Sequence, residues 1–208
     1  MFQIKLKSNR PVEADFAGFA RWPGRLSRWS LLLLAGLWWL EATSGTETHA
    51  GPSAAGTAGR VERVVDGDTL RFVHEDGGPL TLRLLGVDTP ESGQDGGAEA
   101  REFVAARVCG VEVIMRTHGE DRYGRTVASI EVAGQDLGVL LVRHGLGWRL
   151  KRYLESAPAD LREAYEVAWR EARDGRVGIW AGEPQPPWEW RRTHRPAKGQ
   201  AIDCADRR

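Results

Sequence analysis

Short runs of apolar residues, each only one strand long, fill the centre of the chain. Residues 61–65 and 70–73 are rich in Val, Leu and Phe and flank Asp66-Gly67-Asp68-Thr69, a pattern that predicts two strands joined by a tight turn. Residues 80–87 predict a further strand and residues 126–132 another. Between and after these strands the period becomes helical. Apolar residues at 100, 103, 104 and 108 make one stripe over a predicted helix 99–108. A second helix is predicted over 136–144, closed by Gly145, and a third over 160–174, closed by Gly175. Leu161, Ala164, Tyr165, Ala168 and Ala172 share one face of the third. One-sided helices of this kind cover a small sheet or barrel.

The polar residues that interrupt these elements carry the candidate chemistry. In chain order they are Asp66-Gly67-Asp68-Thr69, Arg83, Asp88-Thr89-Pro90-Glu91 and Asp121-Arg122-Tyr123-Gly124-Arg125. A phosphodiester is an anion and repels a hydroxide nucleophile. Cutting it requires charge neutralisation, an activated water and stabilisation of the five-coordinate phosphorus. A hard divalent cation takes carboxylate and carbonyl oxygens as ligands. Asp68 and Asp88 are the candidate ligands, with the Thr89 carbonyl as a third. Arginine binds two phosphate oxygens through a planar fork that stays protonated, a role open to Arg83 and Arg125. Glu91 is then the general base, or the group that orients water.

By strict alternation Arg83 lies on the strand face opposite Asp88. The two converge only if the chain bends near Gly86 or ends its strand there. Pro90 ends the ladder, which makes 88–91 a strand-exit loop. Each cluster alone has a structural reading as a turn, a cap or a surface ion pair. Their co-occurrence in one order is what points to a site.

Four stretches, Val64 to Leu70, Arg83 to Glu91, Asp121 to Arg125 and Leu141 to Leu146, resemble the thermonuclease (staphylococcal nuclease-like) family. The resemblance runs from about Val61 to Trp180. It implies an α+β, mainly β fold, a five-stranded OB-type barrel with three packed helices. It also implies a Ca²⁺-dependent nuclease that cuts DNA and RNA, endonucleolytically, leaving 3′-phosphates. Carried over by position, the metal ligands fall on Asp68, Asp88 and Thr89. The catalytic groups fall on Arg83, Glu91 and Arg125. Arg122, Tyr123 and Tyr153 are expected to contact substrate. The chain departs from the family near the nucleotide: Leu150 or Lys151 stands where a first tyrosine is usual, which leaves stacking to Tyr153 or Trp148. Mg²⁺ or Mn²⁺ would accept the same hard oxygens as Ca²⁺.

Charge changes the picture in one respect. The chain is neutral overall, yet residues 61–181 hold 16 Lys+Arg against 21 Asp+Glu, a net of −5. Nucleic acid must therefore be met by a local patch rather than a global field. Arg143, His144, Arg149, Lys151 and Arg152 form one such patch, or an ordinary solvated helix end.

The chain divides into four parts. Arginines 21, 25 and 28 precede an apolar run at 31–40, so 1–42 reads as a signal peptide or, if uncleaved, a membrane anchor. Residues 43–60 read as a flexible linker. The catalytic domain spans 61–181, and 182–208 is a tail rich in Pro, Trp and Arg, expected to pack Trp188 or Trp190 on the barrel. Trp169 and Trp180 are expected in the core. An exported protein, periplasmic or secreted, follows, with Cys109 and Cys204 either bridged or free. No segment indicates a protein partner, and a monomer is expected. The competing reading is a non-catalytic OB-type module that binds nucleic acid or protein without cutting.

Overall fold

The predicted hairpin forms from β1 (Thr57–Val64) and β2 (Thr69–His74), in register from Gly59 opposite His74 to Val64 opposite Leu70. The computed structural model describes residues 56–74, 77–194 and 199–207, all within one compact unit, residues 49–208. After the hairpin come β3 (Leu80–Leu84), β4 (Val87–Asp88) and α1 (Gly97–Val108). Next are β5 (Glu112–Glu120), β6 (Thr126–Val132), β7 (Gln135–Asp136) and α2 (Leu137–Arg143). Then follow β8 (Trp148–Arg149), α3 (Ala159–Asp174), α4 (Pro187–Thr193) and β9 (Ile202–Asp203).

The sheet closes on itself. β1 pairs with β2, β2 with β3, β3 in parallel with β6, β6 with β5, and β5 returns to β1. This is a five-stranded barrel of the OB type, within an α+β, mainly β fold. Closure removes the edges that would otherwise present unpaired backbone groups. Inward residues such as Val64, Leu70, Phe72, Leu82 and Ile130 are fully buried and fill the barrel. Ala100, Val104 and Val108 of α1 pack onto it, as do Leu137 and Leu141 of α2 and Ala168 of α3.

Several boundaries differ from the sequence expectation. β1 begins at Thr57, so residues 57–60 belong to the barrel and not to a linker. β5 has no counterpart in the sequence reading, because only Val113 and Met115 of its nine residues are buried. β3 stops at Leu84 and turns through Leu85-Gly86, where Gly86 has φ 69°. That left-handed conformation, with Leu154 packed against the Cα, requires glycine.

The described part of the tail is integrated with the barrel. β9 pairs with β1, Ile202 opposite Val64, and Cys204 is bridged to Cys109 at the end of α1. Trp190 of α4 is buried while Trp188 keeps 38% of its surface exposed. Trp169 and Trp180 are partly buried: Trp169 packs against the core with Arg149 and Arg173 over its ring, and Trp180 meets Trp148 edge-on beneath Arg173. The predicted signal or anchor, 1–42, lies outside the described residues. Among those described, no helix is long and apolar enough to cross a membrane.

One buried polar chain ties α2 and α3 to the turn at Leu85. Tyr165 of α3 is fully buried and donates its hydroxyl to the Leu85 carbonyl at 2.6 Å. Asp136 caps α2 by accepting from the Val139 amide at 2.9 Å. Burial raises the Asp136 pKa to about 6, against the opposing hydrogen bonds of Val139, Gly138 and Tyr165. A single hydroxyl proton on Tyr165 cannot serve both acceptors. Below about pH 6 a protonated Asp136 supplies the second hydrogen.

Candidate active site

The hairpin tip, the turn after β3 and the turn before β6 converge on one cleft of about 920 Å³. At the tip, Val65 and Asp66 amides both donate to the Thr69 carbonyl, a tight turn that aims Asp66 and Asp68 the same way. Gly67 is required there, because a Cβ would come 2.8 Å from Thr89 Oγ1 and 2.9 Å from Ala100 Cβ. The hairpin tip therefore packs directly against the strand-exit loop. Thr89 completes the junction by donating its amide (2.9 Å) and hydroxyl (3.2 Å) to Asp68 Oδ2.

Asp68 and Asp88 are 3% and 2% exposed, so their charges depend on partners. Arg83 supplies them. Its guanidinium pairs with Asp68 through Nη1 and donates to Asp88 Oδ1 through Nη2 at 2.8 Å. The chain bend at Gly86 is what makes this possible. It brings Asp88 to the face Arg83 occupies, as alternation required of any bend there. Tyr165 fixes the same bend from below through the Leu85 carbonyl.

Arg125 enters from the turn before β6. Asp121 accepts the Arg125 amide at 3.0 Å and its Nε at 2.7 Å, which holds the guanidinium in place. Burial works against the Asp121 charge, but these hydrogen bonds and the Arg125 charge hold its pKa below the usual carboxylate value. Arg125 then reaches Thr69 Oγ1 at 3.4 Å, and Thr69 donates to Asp68 Oδ1 at 3.1 Å. Asp66 accepts the Asp68 amide at 3.1 Å, and burial raises its pKa against the charge of Arg83.

Arg122, Tyr123 and Tyr153 also line the cleft. Both tyrosines are exposed, and each accepts a hydrogen bond from its neighbouring arginine, Arg122 at 2.6 Å and Arg152 at 2.8 Å. Trp148, the alternative stacking residue, is 6% exposed and meets Trp180 and Trp188 edge-on, which leaves it no free face for a base. The basic patch is not one surface either: Arg143 pairs with Glu171 and Arg149 with Glu166, and only Arg152 of the five lines the cleft.

Sequence reading missed Arg191. It lies on α4, 103 residues from Asp88, and donates to both Asp88 oxygens, at 3.4 and 2.8 Å, as well as to Glu91. Burial works against its charge, but the bonds to Asp88 and Glu91 outweigh that and raise its pKa. Pro186-Pro187 marks the helix start, but nothing local shows where that helix docks.

Hard oxygen donors suit a cation such as Ca²⁺, and Asp68 and Asp88 are brought within the span of one guanidinium. Among the described residues no three His, Cys, Asp or Glu side chains form a metal cluster alone. A cation at this place would thus draw on the two carboxylates together with carbonyl or water oxygens. The donor chemistry fits.

Comparison with known proteins agrees with this geometry. Residues 81–182 match the family model described as Staphylococcal nuclease homologue. The chain is 34% identical to a micrococcal nuclease of Shigella flexneri over 156 residues, 70% of this chain and 87% of that one. It is 33% identical over 135 residues to an uncharacterized endonuclease of Escherichia coli O157:H7, 64% of this chain and 84% of that one. It is 37% identical over 118 residues to an uncharacterized 38.1 kDa protein of Capnoides sempervirens, of which it spans 33%. A closed five-stranded barrel with its acidic and arginine residues gathered at the hairpin tip, matched over these lengths, means that the chain belongs to the staphylococcal nuclease family.

Proposed function

We propose that the protein is a calcium-dependent nuclease that hydrolyses phosphodiester bonds of DNA and RNA endonucleolytically and leaves 3′-phosphates. The observation that carries this reading is the convergence of Asp68, Arg83, Asp88, Glu91 and Arg125 on one cleft from the hairpin tip, the β3–β4 segment with its exit loop, and the turn before β6. A bound divalent cation would supply Lewis-acid polarisation of the phosphoryl oxygen. Asp68, Asp88 and the Thr89 carbonyl would hold it. Arg83 and Arg125 bind the non-bridging phosphate oxygens. Arg125, anchored on Asp121 rather than on the buried carboxylates, is preorganised toward the cleft for charge as it develops. Glu91 accepts the proton of the attacking water, and the 5′-oxygen departs.

One chain supplies every residue of this set, which supports a monomer as the acting unit. Export, to the periplasm or the medium, is supported by the Cys109–Cys204 disulfide, which persists in oxidising compartments.

The test mixes purified protein with single-stranded DNA and RNA, with Ca²⁺, Mg²⁺ or Mn²⁺ and with chelator, beside Glu91→Gln. Calcium-dependent cutting that the variant loses, with phosphate on the 3′ ends, is expected. Intact substrate under every ion, accompanied by a gel shift, would replace this reading with that of a binding module.

A further inference from the structure

We propose that the C-terminal helix α4 is a nucleotide-binding wall of the cleft, in which Arg191 takes a phosphate oxygen and Trp188 stacks on an unpaired base. The proposal rests on the nuclease reading for its ligand, and on separate observations for its residues.

Arg191 and Trp188 are three positions apart on one helix, so they share a face. Both line the cleft that holds Asp68, Arg83 and Glu91, while Trp190 lines a different cleft of about 450 Å³. α4 thus presents Trp188 and Arg191 to the candidate catalytic groups. Of the two arginines on Asp88, Arg191 is the more accessible, with 37% of its side chain exposed against 17% for Arg83. Arg83 is held by two buried carboxylates and a backbone carbonyl. Arg191 sits at the mouth, where its fork can pass from carboxylate to phosphate without leaving the helix face.

Charge supports this. Six carboxylates and five guanidiniums line the cleft. A divalent cation turns that net −1 into +1, equal and opposite to one phosphodiester. Without Arg191 the same sum is zero, and the cleft has no net attraction for its ligand.

Trp188 adds an aromatic surface. Its ring stands edge-on to buried Trp148, centroids 6.4 Å apart at 77°, so it is backed by the protein while more than a third exposed. Base stacking on such a ring tolerates any sequence and needs an unpaired base.

The helix is tethered to the catalytic loop. Gln94 accepts from the Glu91 amide at 3.0 Å and donates to the Gln185 carbonyl, just before α4, at 2.6 Å. Glu91 is therefore joined to the tail through its backbone and, by Arg191, through its side chain.

The test measures anisotropy of a fluorescein-labelled, cleavage-resistant phosphorothioate single-stranded DNA oligonucleotide with the full chain, in Ca²⁺ and in chelator, across a salt series. Arg191→Ala is expected to weaken binding about tenfold and to lower the log–log salt slope by about 0.7, one phosphate contact on a single strand. Trp188→Ala is expected to weaken binding about tenfold with the salt slope unchanged. Trp188→Phe should retain most affinity, and Arg191→Lys should keep the slope. Unchanged affinity in both alanine variants would overturn the proposal. So would tighter binding of oligonucleotide by Arg191→Ala, which would make the arginine an obstruction. Cleavage by the unaltered protein with Ca²⁺ is scored separately. A protein that fails to cut, yet loses affinity in both variants, sinks the nuclease reading and leaves this one standing. Failure of the unaltered protein to bind in either condition sinks both.

Discussion

The cleft has two walls of different origin. One is the barrel, where Asp68 and Arg125 sit on turns, Arg83 on β3 and Asp88 on β4, fixed by hydrogen bonds among them and to Thr69 and Thr89. The other is α4, seven residues long, which sends Arg191 and Trp188 across from the tail. The barrel wall is held by the closed ladder beneath it. The helix wall is held through side chains, by Trp190, by Trp188 against Trp148 and by Arg191 on Asp88 and Glu91, together with the Gln94–Gln185 bond. Chemistry placed on paired strands is built to stay put, whereas a short helix held through its side chains, with no strand ladder beneath it, suits groups that must meet and release a polymer.

The largest effect that would break this division lies on the barrel wall. Glu91→Gln and Arg125→Ala should each lower turnover by about 10² to 10⁴, with little change in unfolding midpoint. Steady-state kinetics beside a thermal melt checks this, and unchanged turnover removes that residue from the chemistry.

Next is a stability contrast between the arginines. Arg83→Ala leaves Asp68 without its charge partner and should cost about 3–5 kcal/mol in denaturant unfolding without metal. Arg191→Ala should cost less, because Arg83 still neutralises Asp88. Equal losses would mean that α4 is as integral to the fold as the barrel.

Removing the disulfide, by Cys204→Ser or reduction, should cost about 2–4 kcal/mol, since it closes a loop across a sequence separation of 95. Equilibrium unfolding with and without reductant reads this directly. No loss would mean that β9 and α4 hold the tail unaided.

A comparable effect, spread over a pH range, concerns the support below the site. Asp136 has a folded pKa of about 6, above its usual 3.8, so the folded state binds the extra proton. Stability should therefore fall as pH rises from about 4 to about 6, by about 3 kcal/mol at most. Asp136→Asn keeps the cap and should flatten that slope. Unfolding free energies at several pH values decide it, and an unchanged slope would place the titration elsewhere.

Much of the barrel wall was legible in the sequence, for a physical reason. A hairpin tip and a strand exit are local structures, and Asp66-Gly67-Asp68-Thr69 and Asp88-Thr89-Pro90 encode them in adjacent residues. Even the bend that lets Arg83 meet Asp88 was signalled by Gly86. β5 was not legible, because its outer half is polar and exposed, and pairing on both sides rather than its own pattern makes it a strand. Trp148 was misplaced for a similar reason: adjacency to Tyr153 along the chain does not show that Trp180 and Trp188 bury it.

By itself, the sequence determined the β1–β2 hairpin, β3, β6 and the charged residues that ride on them and on their turns, since φ/ψ preference and alternation act over a few residues. Tertiary structure alone decided that β5 closes the barrel onto β1, that Cys109 meets Cys204, and that Arg191 completes the cleft. Those contacts join residues up to 103 apart, and only packing of the whole chain selects them.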